Sequence, residues 1–309
     1  MLHPLIIIVG PTAVGKTAVG IELAKLIKGE IISGDSMQVY KYMDIGTAKP
    51  TMEERKGIPH HMIDILEPDE DYSVAVFQRN TEQLIPEIVG RGRLPILAGG
   101  TGLYVRSVTD RYNFTEFSVD QEYRMGLEQE AGEKGNQVLL DRLREVDPTT
   151  AARLHVNDLR RIIRALEVYH FTGQPISSYQ DAHVNPEPKY NLAMFGLTME
   201  RQELYNRIDR RVDLMVEHGL VEEVRELLNR GYSPNLTSMQ GLGYKEIVAF
   251  LEGQYDIDEA IRLLKRNTRH FAKRQLTWFR REQRIQWLNV EKCCNVAEIA
   301  NEIAARIEG

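Results

Sequence analysis

The segment Leu5-Ile-Ile-Ile-Val9, running directly into Gly10-Pro11-Thr12-Ala13-Val14-Gly15-Lys16-Thr17, constrains the fold more than any other part of the chain. A continuous β-branched run suits a strand buried on both faces of a parallel sheet, and helical spacing follows from Thr17 to Ile27. In that strand-to-helix context G-x-x-x-x-G-K-[ST] reads as a phosphate loop. The glycines let backbone N–H groups turn toward an anion, the helix start adds positive partial charge, Lys16 adds a full charge, and the Thr17 hydroxyl offers a ligand to Mg²⁺. Those groups fit a di- or triphosphate.

Further short apolar runs at Glu30–Ile32, Met62–Leu66, Leu94–Ala98 and Leu192–Leu197 alternate with helix-like stretches such as Ser73–Val89. Strand and helix alternation of this kind predicts an α/β fold, a P-loop NTPase-like parallel sheet flanked by helices. From about Thr115 to Pro188 the pattern turns charged and helix-rich, with Gly132, Gly135, Pro148, Gly173 and Pro175 as breaks. The expected organisation is therefore a catalytic core over 1–114 and 189–309 and a helical insertion over 115–188. Amphipathic helices are expected from Arg201 to Phe279, then a strand over Arg284–Asn289.

With 39 Lys and Arg against 45 Asp and Glu, the formal charge of -6 excludes a uniformly basic coat, so any nucleic-acid surface must be a local patch. The only cysteines, Cys293 and Cys294, are adjacent, which provides neither a disulfide framework nor a spaced zinc site and suggests a reducing compartment. Leu5–Val9 is too short to span a bilayer and leads into a glycine loop instead of a cleavage site, so the expectation is a cytoplasmic protein with no membrane partner.

The loop alone does not choose between ATP, GTP and another diphosphate. An ATPase needs an acidic residue at the end of a second apolar strand. Leu94–Ala98 ends instead in Gly99-Gly100-Thr101-Gly102, which disfavours simple hydrolysis and leaves Asp35 and Asp64 as substitutes.

Gly10–Thr17, Asp35-Ser36-Met37-Gln38-Val39-Tyr40, Asp44–Pro50, His60-His61 and Gly99–Tyr104 together resemble the tRNA dimethylallyltransferases. The likeness continues through Asn157-Asp158, Arg164–Glu167, Gly243–Glu246 and Ala272–Arg280, nearly the whole chain. The resemblance implies transfer of a dimethylallyl group from dimethylallyl diphosphate, held with Mg²⁺ at the phosphate loop, to N6 of adenosine 37 in tRNA. It implies an insertion that grips the anticodon stem-loop, and the enzyme is expected to be a monomer. No Cys/His spacing after residue 281 matches the zinc finger of eukaryotic members, so the bacterial type is the nearer likeness.

The chemistry supports particular residues. An exocyclic adenine amine is a weak nucleophile and needs a proton acceptor; Asp35, after the run Ile31–Gly34 at the carboxyl end of a strand, is the candidate, with helix capping or a water-mediated Mg²⁺ contact as the alternatives. Thr101 either reaches the same amine or the bridging diphosphate oxygen, or caps a helix. Arg211 resembles the family's leaving-group arginine, and Arg210 beside it stays open for that contact. The tRNA contacts implied are Asp35, Ser36, Met37, Gln38, Thr101, Leu159, Arg160, Arg161, Ile162, Ile163, Gly243, Lys245, Lys273 and Arg274.

A basic stretch, Arg262, Lys265, Arg266, Arg269, Lys273, Arg274, Arg280, Arg281 and Arg284, opposed only by Glu282, and the cluster Arg160, Arg161 and Arg164 suggest phosphate binding. His60 and His61 are adjacent on a strand, point to opposite faces and suit hydrogen bonding better than a shared metal. Competing readings are a small-molecule kinase with Asp35 as base, prenylation of free adenine nucleotides, and a nucleotide-regulated RNA-binding switch.

Overall fold

The computed structural model describes residues 2–110, 120–181, 188–293 and 295–308. Cys294 and the expected boundary at Thr115 lie outside the described residues. Among the described residues six strands, β1 (Pro4–Val9), β2 (Gly29–Ser33), β3 (His60–His61), β4 (Leu94–Gly99), β5 (Asn191–Thr198) and β6 (Ile285–Asn289), form one sheet in the order β3-β2-β4-β1-β5-β6. Every neighbouring pair is parallel. This is the expected P-loop-type α/β architecture.

Helices α1 (Lys16–Leu26), α2 (Val74–Gly90) and α3 (Gly102–Thr109) follow strands; α4 (Gln121–Lys134), α5 (Asn136–Val146), α6 (Pro148–Ala151), α7 (Leu159–Thr172) and α8 (Ile176–Asp181) form the insertion. Helices α9 (Arg201–Glu217), α10 (Leu220–Asn229), α11 (Tyr244–Leu251), α12 (Ile257–Phe279) and α13 (Val296–Glu308) complete the core. Alternation along β1 explains the layering. Ile6 and Ile8 pack on one side of the sheet with Val19, Leu23, Ile299 and Ile303, while Leu5, Ile7 and Val9 pack on the other with Phe77, Ile85, Val105 and Val108.

The chain divides into two compact units, Met1–Thr109 with Pro188–Gly309, and Asp110–Glu187. The second has its own core of Leu127, Leu139, Leu143, Ile162, Ile163 and Leu166. Its buried Glu167 is held by a two-pronged Arg124 guanidinium at 2.7 and 2.9 Å. Gly132, expected as a break, lies inside α4, because a glycine near a helix end costs only about 1 kcal/mol and the surrounding register carries it. Helix α4 ends instead at Gly135, with φ 83°.

The strand expected at Met62–Leu66 is also corrected. Pairing stops after His61, since Met62 (φ 64°) and Asp64 (φ 57°) turn the backbone left-handed, and Leu66 keeps only an isolated bridge to Tyr40.

Candidate active site

Parallel register brings three loops together at the carboxyl edge of the sheet. Val9 lies opposite Gly99 and Ser33 opposite Ala98, so the segments after β1, β2 and β4 emerge side by side. Gly34 N–H donates to Ala98 O at 2.8 Å, and a Cβ on Gly99 would sit 2.4 Å from Gly34 O. Only glycine at 99 lets the Asp35 and Thr101 loops approach this closely.

The phosphate loop turns through left-handed Ala13 (φ 65°) and Gly15 (φ 103°), and Gly15 immediately precedes α1. Lys16 Nζ donates to Gly10 O (3.0 Å) and Pro11 O (2.8 Å), folding back over the loop. Burial, with the nearby Arg211 charge adding to it, lowers its pKa to about 8, while Asp35 acts in the opposite sense. Above the loop lies a cavity of about 520 Å³ lined by Gly15, Lys16, Thr17, Arg207 and Arg211.

A second cavity, of about 340 Å³, is lined by Asp35, Ser36, Met37, Thr101, Arg211, Lys245, Phe271 and Arg274. Ala13, Ala48 and Arg211 line both cavities. Burial pulls the Arg211 guanidinium below its usual value, against Asp35 and Glu54, whereas Arg210 is solvent-exposed. Of the two arginines left open by the sequence, Arg211 is the one in the cavities.

Asp35 Oδ1 accepts from Met37 N–H at 2.8 Å, so one oxygen braces its own turn. Thr101 immediately precedes α3, and its carbonyl accepts from Tyr104 and Val105 N–H. Gln38 is occupied elsewhere: its Oε1 accepts from Ser33 Oγ at 2.9 Å and its Nε2 donates to Thr47 O at 3.3 Å.

The 44–49 segment that walls both cavities is fixed from a distance. Glu223 on α10 accepts from three consecutive backbone amides, Asp44 (2.8 Å), Ile45 (2.7 Å) and Gly46 (3.0 Å), and from Tyr244 Oη (2.7 Å). A Cβ on Gly46 would meet the Tyr244 ring at 2.5 Å. Lys49, buried, donates to Tyr40 O (2.9 Å) and pairs with Asp64 (2.6 Å) and with Asp44. Asp64 is thus committed to an ion pair.

Other expected contact residues divide by exposure. Arg160 and Arg161 project from the first turn of α7, while Ile162 and Ile163 are buried in the insertion core and Leu159 packs against it. The isoleucine side chains therefore cannot meet an RNA surface without unpacking the insertion. Gly243 (φ 95°) precedes α11, and its N–H donates to Glu246.

The expectation that Glu282 alone opposes the basic stretch is corrected: besides Arg284 with Glu282 (2.7 Å), Lys265 pairs with Asp213 (2.6 Å), Arg269 with Asp209 (2.7 Å) and Arg262 with Glu259 (2.6 Å). Two of these carboxylates come from α9, far away in sequence. Arg266, Lys273, Arg274, Arg280 and Arg281 remain exposed.

His60 Nδ1 donates to Ile58 O (2.8 Å), and His61 Nε2 to Glu30 (2.8 Å), so the two rings are bound to different partners. Mg²⁺ prefers oxygen ligands and completes its shell with water and phosphate oxygens. The Thr17 hydroxyl, exposed on the first turn of α1 beside Lys16 in the loop cavity, fits that demand. Among the described residues no group of three or more His, Cys, Asp or Glu forms an alternative metal cluster.

Sequence reasoning missed Glu223 and Gln275. Gln275 Oε1 accepts from Thr12 N–H at 2.8 Å while its Nε2 donates to Gly100 O at 2.9 Å. The only local signal for Gln275 was its place within Ala272–Arg280.

A parallel sheet with a phosphate loop beside a carboxylate- and hydroxyl-bearing cavity defines a P-loop-type α/β protein. The sequence matches the IPP transferase family over residues 38–282. It is 61% identical over 292 residues to the tRNA dimethylallyltransferase of Carboxydothermus hydrogenoformans, covering 94% of each chain. To that of Pelotomaculum thermopropionicum it is 53% identical over 307 residues, covering 99% of this chain and 97% of the other.

The structure is similar to the tRNA isopentenylpyrophosphate transferase of Bacillus halodurans, with TM-score 0.72, 50% identity and coverage of 99% and 97% of the two chains. It is also similar to a eukaryotic dimethylallyltransferase acting on tRNA, with TM-score 0.78, 31% identity and coverage of 93% of this chain and 74% of that one. The chain belongs to the IPP transferase family, that of the tRNA dimethylallyltransferases.

Proposed function

We propose that this protein transfers a dimethylallyl group from dimethylallyl diphosphate to N6 of adenosine 37 in tRNA and releases pyrophosphate. The observation that carries the reading is Arg211, which lines both the cavity over the phosphate loop and the cavity holding Asp35 and Thr101. A donor diphosphate in the first and an acceptor base in the second meet at that arginine.

The Lys16 ammonium, the loop amides and Arg211 hold the diphosphate and stabilise charge as it departs. The Thr17 hydroxyl would hold Mg²⁺ there, and the ion when bound would supply further neutralisation of the leaving group. The N6–C1 bond forms as the C1–oxygen bond breaks, and the N6 proton passes to the free oxygen of Asp35. The Thr101 hydroxyl orients the amine. Met37, Ile208, Val212, Met215 and Phe271 provide an apolar wall that excludes water from a carbocation-like prenyl carbon.

Arg160 and Arg161 of the insertion, with Lys245, Lys273 and Arg274 of the core, hold the anticodon stem-loop, and the target base leaves its stack to expose N6. On this reading the enzyme acts as a monomer in the cytoplasm. No helix among the described residues is long and apolar enough to cross a membrane.

The test is mass spectrometry of tRNA incubated with the protein, Mg²⁺ and dimethylallyl diphosphate, with AMP and ATP as separate substrates. Dimethylallyl addition at adenosine 37 with stoichiometric pyrophosphate supports the reading. ADP formation, or AMP prenylated as efficiently as tRNA, overturns it.

A further inference from the structure

We propose that Gln275 is a positioning residue for the transfer step, locking the phosphate loop to the glycine turn that carries Thr101. The inference rests on the transferase reading above and adds a residue to its machinery.

The side chain is buried on α12 and has one partner on each side of the site: Thr12 N–H, in the phosphate loop, and Gly100 C=O, one residue before Thr101. Because one partner can only donate and the other can only accept, the carboxamide orientation is fixed without reference to which atom is nitrogen. No other side-chain type of this length both accepts from an amide and donates to a carbonyl in one rigid plane. Glutamate keeps the first bond but sets a carboxylate oxygen against Gly100 O, and leucine makes neither.

Gly100 is matched to the clamp. A Cβ there would fall 2.1 Å from Gln275 Nε2, although the backbone of Gly100 is not in the left-handed region that requires glycine. The space is reserved for the carboxamide. On the same helix Arg274 and Phe271 line the cavity shared with Asp35 and Thr101, so α12 delivers cavity walls and clamp together.

Diphosphate bound by the loop and amine oriented by Thr101 must meet within near-attack distance, and a displacement of ~1 Å costs about 10²-fold in rate. The clamp sets that separation through two hydrogen bonds and touches neither substrate.

The experiment is a double-mutant cycle on the full chain: Gln275→Leu, Thr101→Ala and the double variant. It reads single-turnover dimethylallyl transfer to tRNA, KM for tRNA and melting temperature. Gln275→Leu is expected to slow transfer about 10- to 100-fold with KM for tRNA within about twofold of wild type. In the Thr101→Ala background the same substitution is expected to cost less than about threefold, because the hydroxyl it positions is gone.

Should Gln275→Leu fail to fold, Gly100→Ala displaces the carboxamide from the other side and takes its place in the cycle. Additive losses, or an unchanged rate in a folded clamp variant, overturn the inference while leaving the transferase reading intact. A wild-type protein that does not prenylate tRNA overturns that reading instead.

Discussion

Arg211 stands beside Lys16 in the cavity above the phosphate loop, and its charge adds to burial in lowering the Lys16 pKa to about 8. In the free enzyme the ammonium is therefore lost within the working range of pH. The dependence of kcat/KM for the donor reports the free enzyme, so it should fall as pH rises through about 8. Lys16→Ala should reduce that parameter by at least about 10²-fold, as expected for loss of one preorganised charge, and abolish the alkaline limb.

The same shift affects stability with the opposite sense. Between about 8 and the ordinary 10.5, the unfolded chain binds the Lys16 proton and the folded chain does not, so this group's contribution to stability rises with pH over that window. Thermal melts of wild type and Lys16→Ala across the window measure it, and wild type is expected to gain stability relative to the variant as pH rises from about 8 toward 10.5.

Asp35→Asn should leave the turn intact, since the amide oxygen can still accept from Met37 N–H, yet remove the proton acceptor. Single-turnover transfer is expected to fall roughly 10² to 10⁴-fold, the range for a lost general base, with donor affinity and melting temperature nearly unchanged. A near-normal rate would assign Asp35 to bracing its turn alone.

The parts of this fold that were legible in sequence are those whose cause is local. The β1 run, the phosphate loop and the start of α1 are contiguous, and the parallel sheet follows from strands alternating with helices. The region after His61 misled because apolar composition cannot reveal that Met62 and Asp64 take left-handed φ. The basic stretch on α12 misled for a related reason: Asp209 and Asp213 neutralise two of its members from another helix. Glu223 lies 179 residues from the Asp44 amide it binds, and Gln275 lies 263 from Thr12. Periodicity carries no trace of a side chain that bonds to distant backbone.

Glu223 gives a prediction that separates support from chemistry. Glu223→Ala strands three loop amides and the Tyr244 hydroxyl, and leaving a group of this kind without a partner costs about 1–3 kcal/mol where water cannot replace it. Because the 44–48 segment contributes Ala48 to both cavities, loosening it should raise the KM for dimethylallyl diphosphate several-fold. Denaturant unfolding and steady-state kinetics measure the two effects, and unchanged values of both would mean that the segment holds its shape without Glu223.

Arg160 and Arg161 provide the test of how tRNA is held. Both are exposed on the first turn of α7, whereas their neighbours Ile162 and Ile163 build the insertion core, so replacing both arginines by alanine leaves the packing in place. Each phosphate contact that is lost removes a released counterion. The slope of log affinity against log salt should therefore shallow by about 0.9 for a duplex contact, or about 0.7 in the single-stranded loop. Affinity for tRNA should fall at low salt and converge toward wild type at high salt. Dimethylallyl diphosphate affinity should hardly change, because the donor cavity is lined by core residues alone. Paired titrations of tRNA and a donor analogue across several salt concentrations provide the measurement. A tRNA affinity and salt slope that both match wild type would remove these arginines from the tRNA-binding surface and leave phosphate contact to Lys245, Lys273 and Arg274.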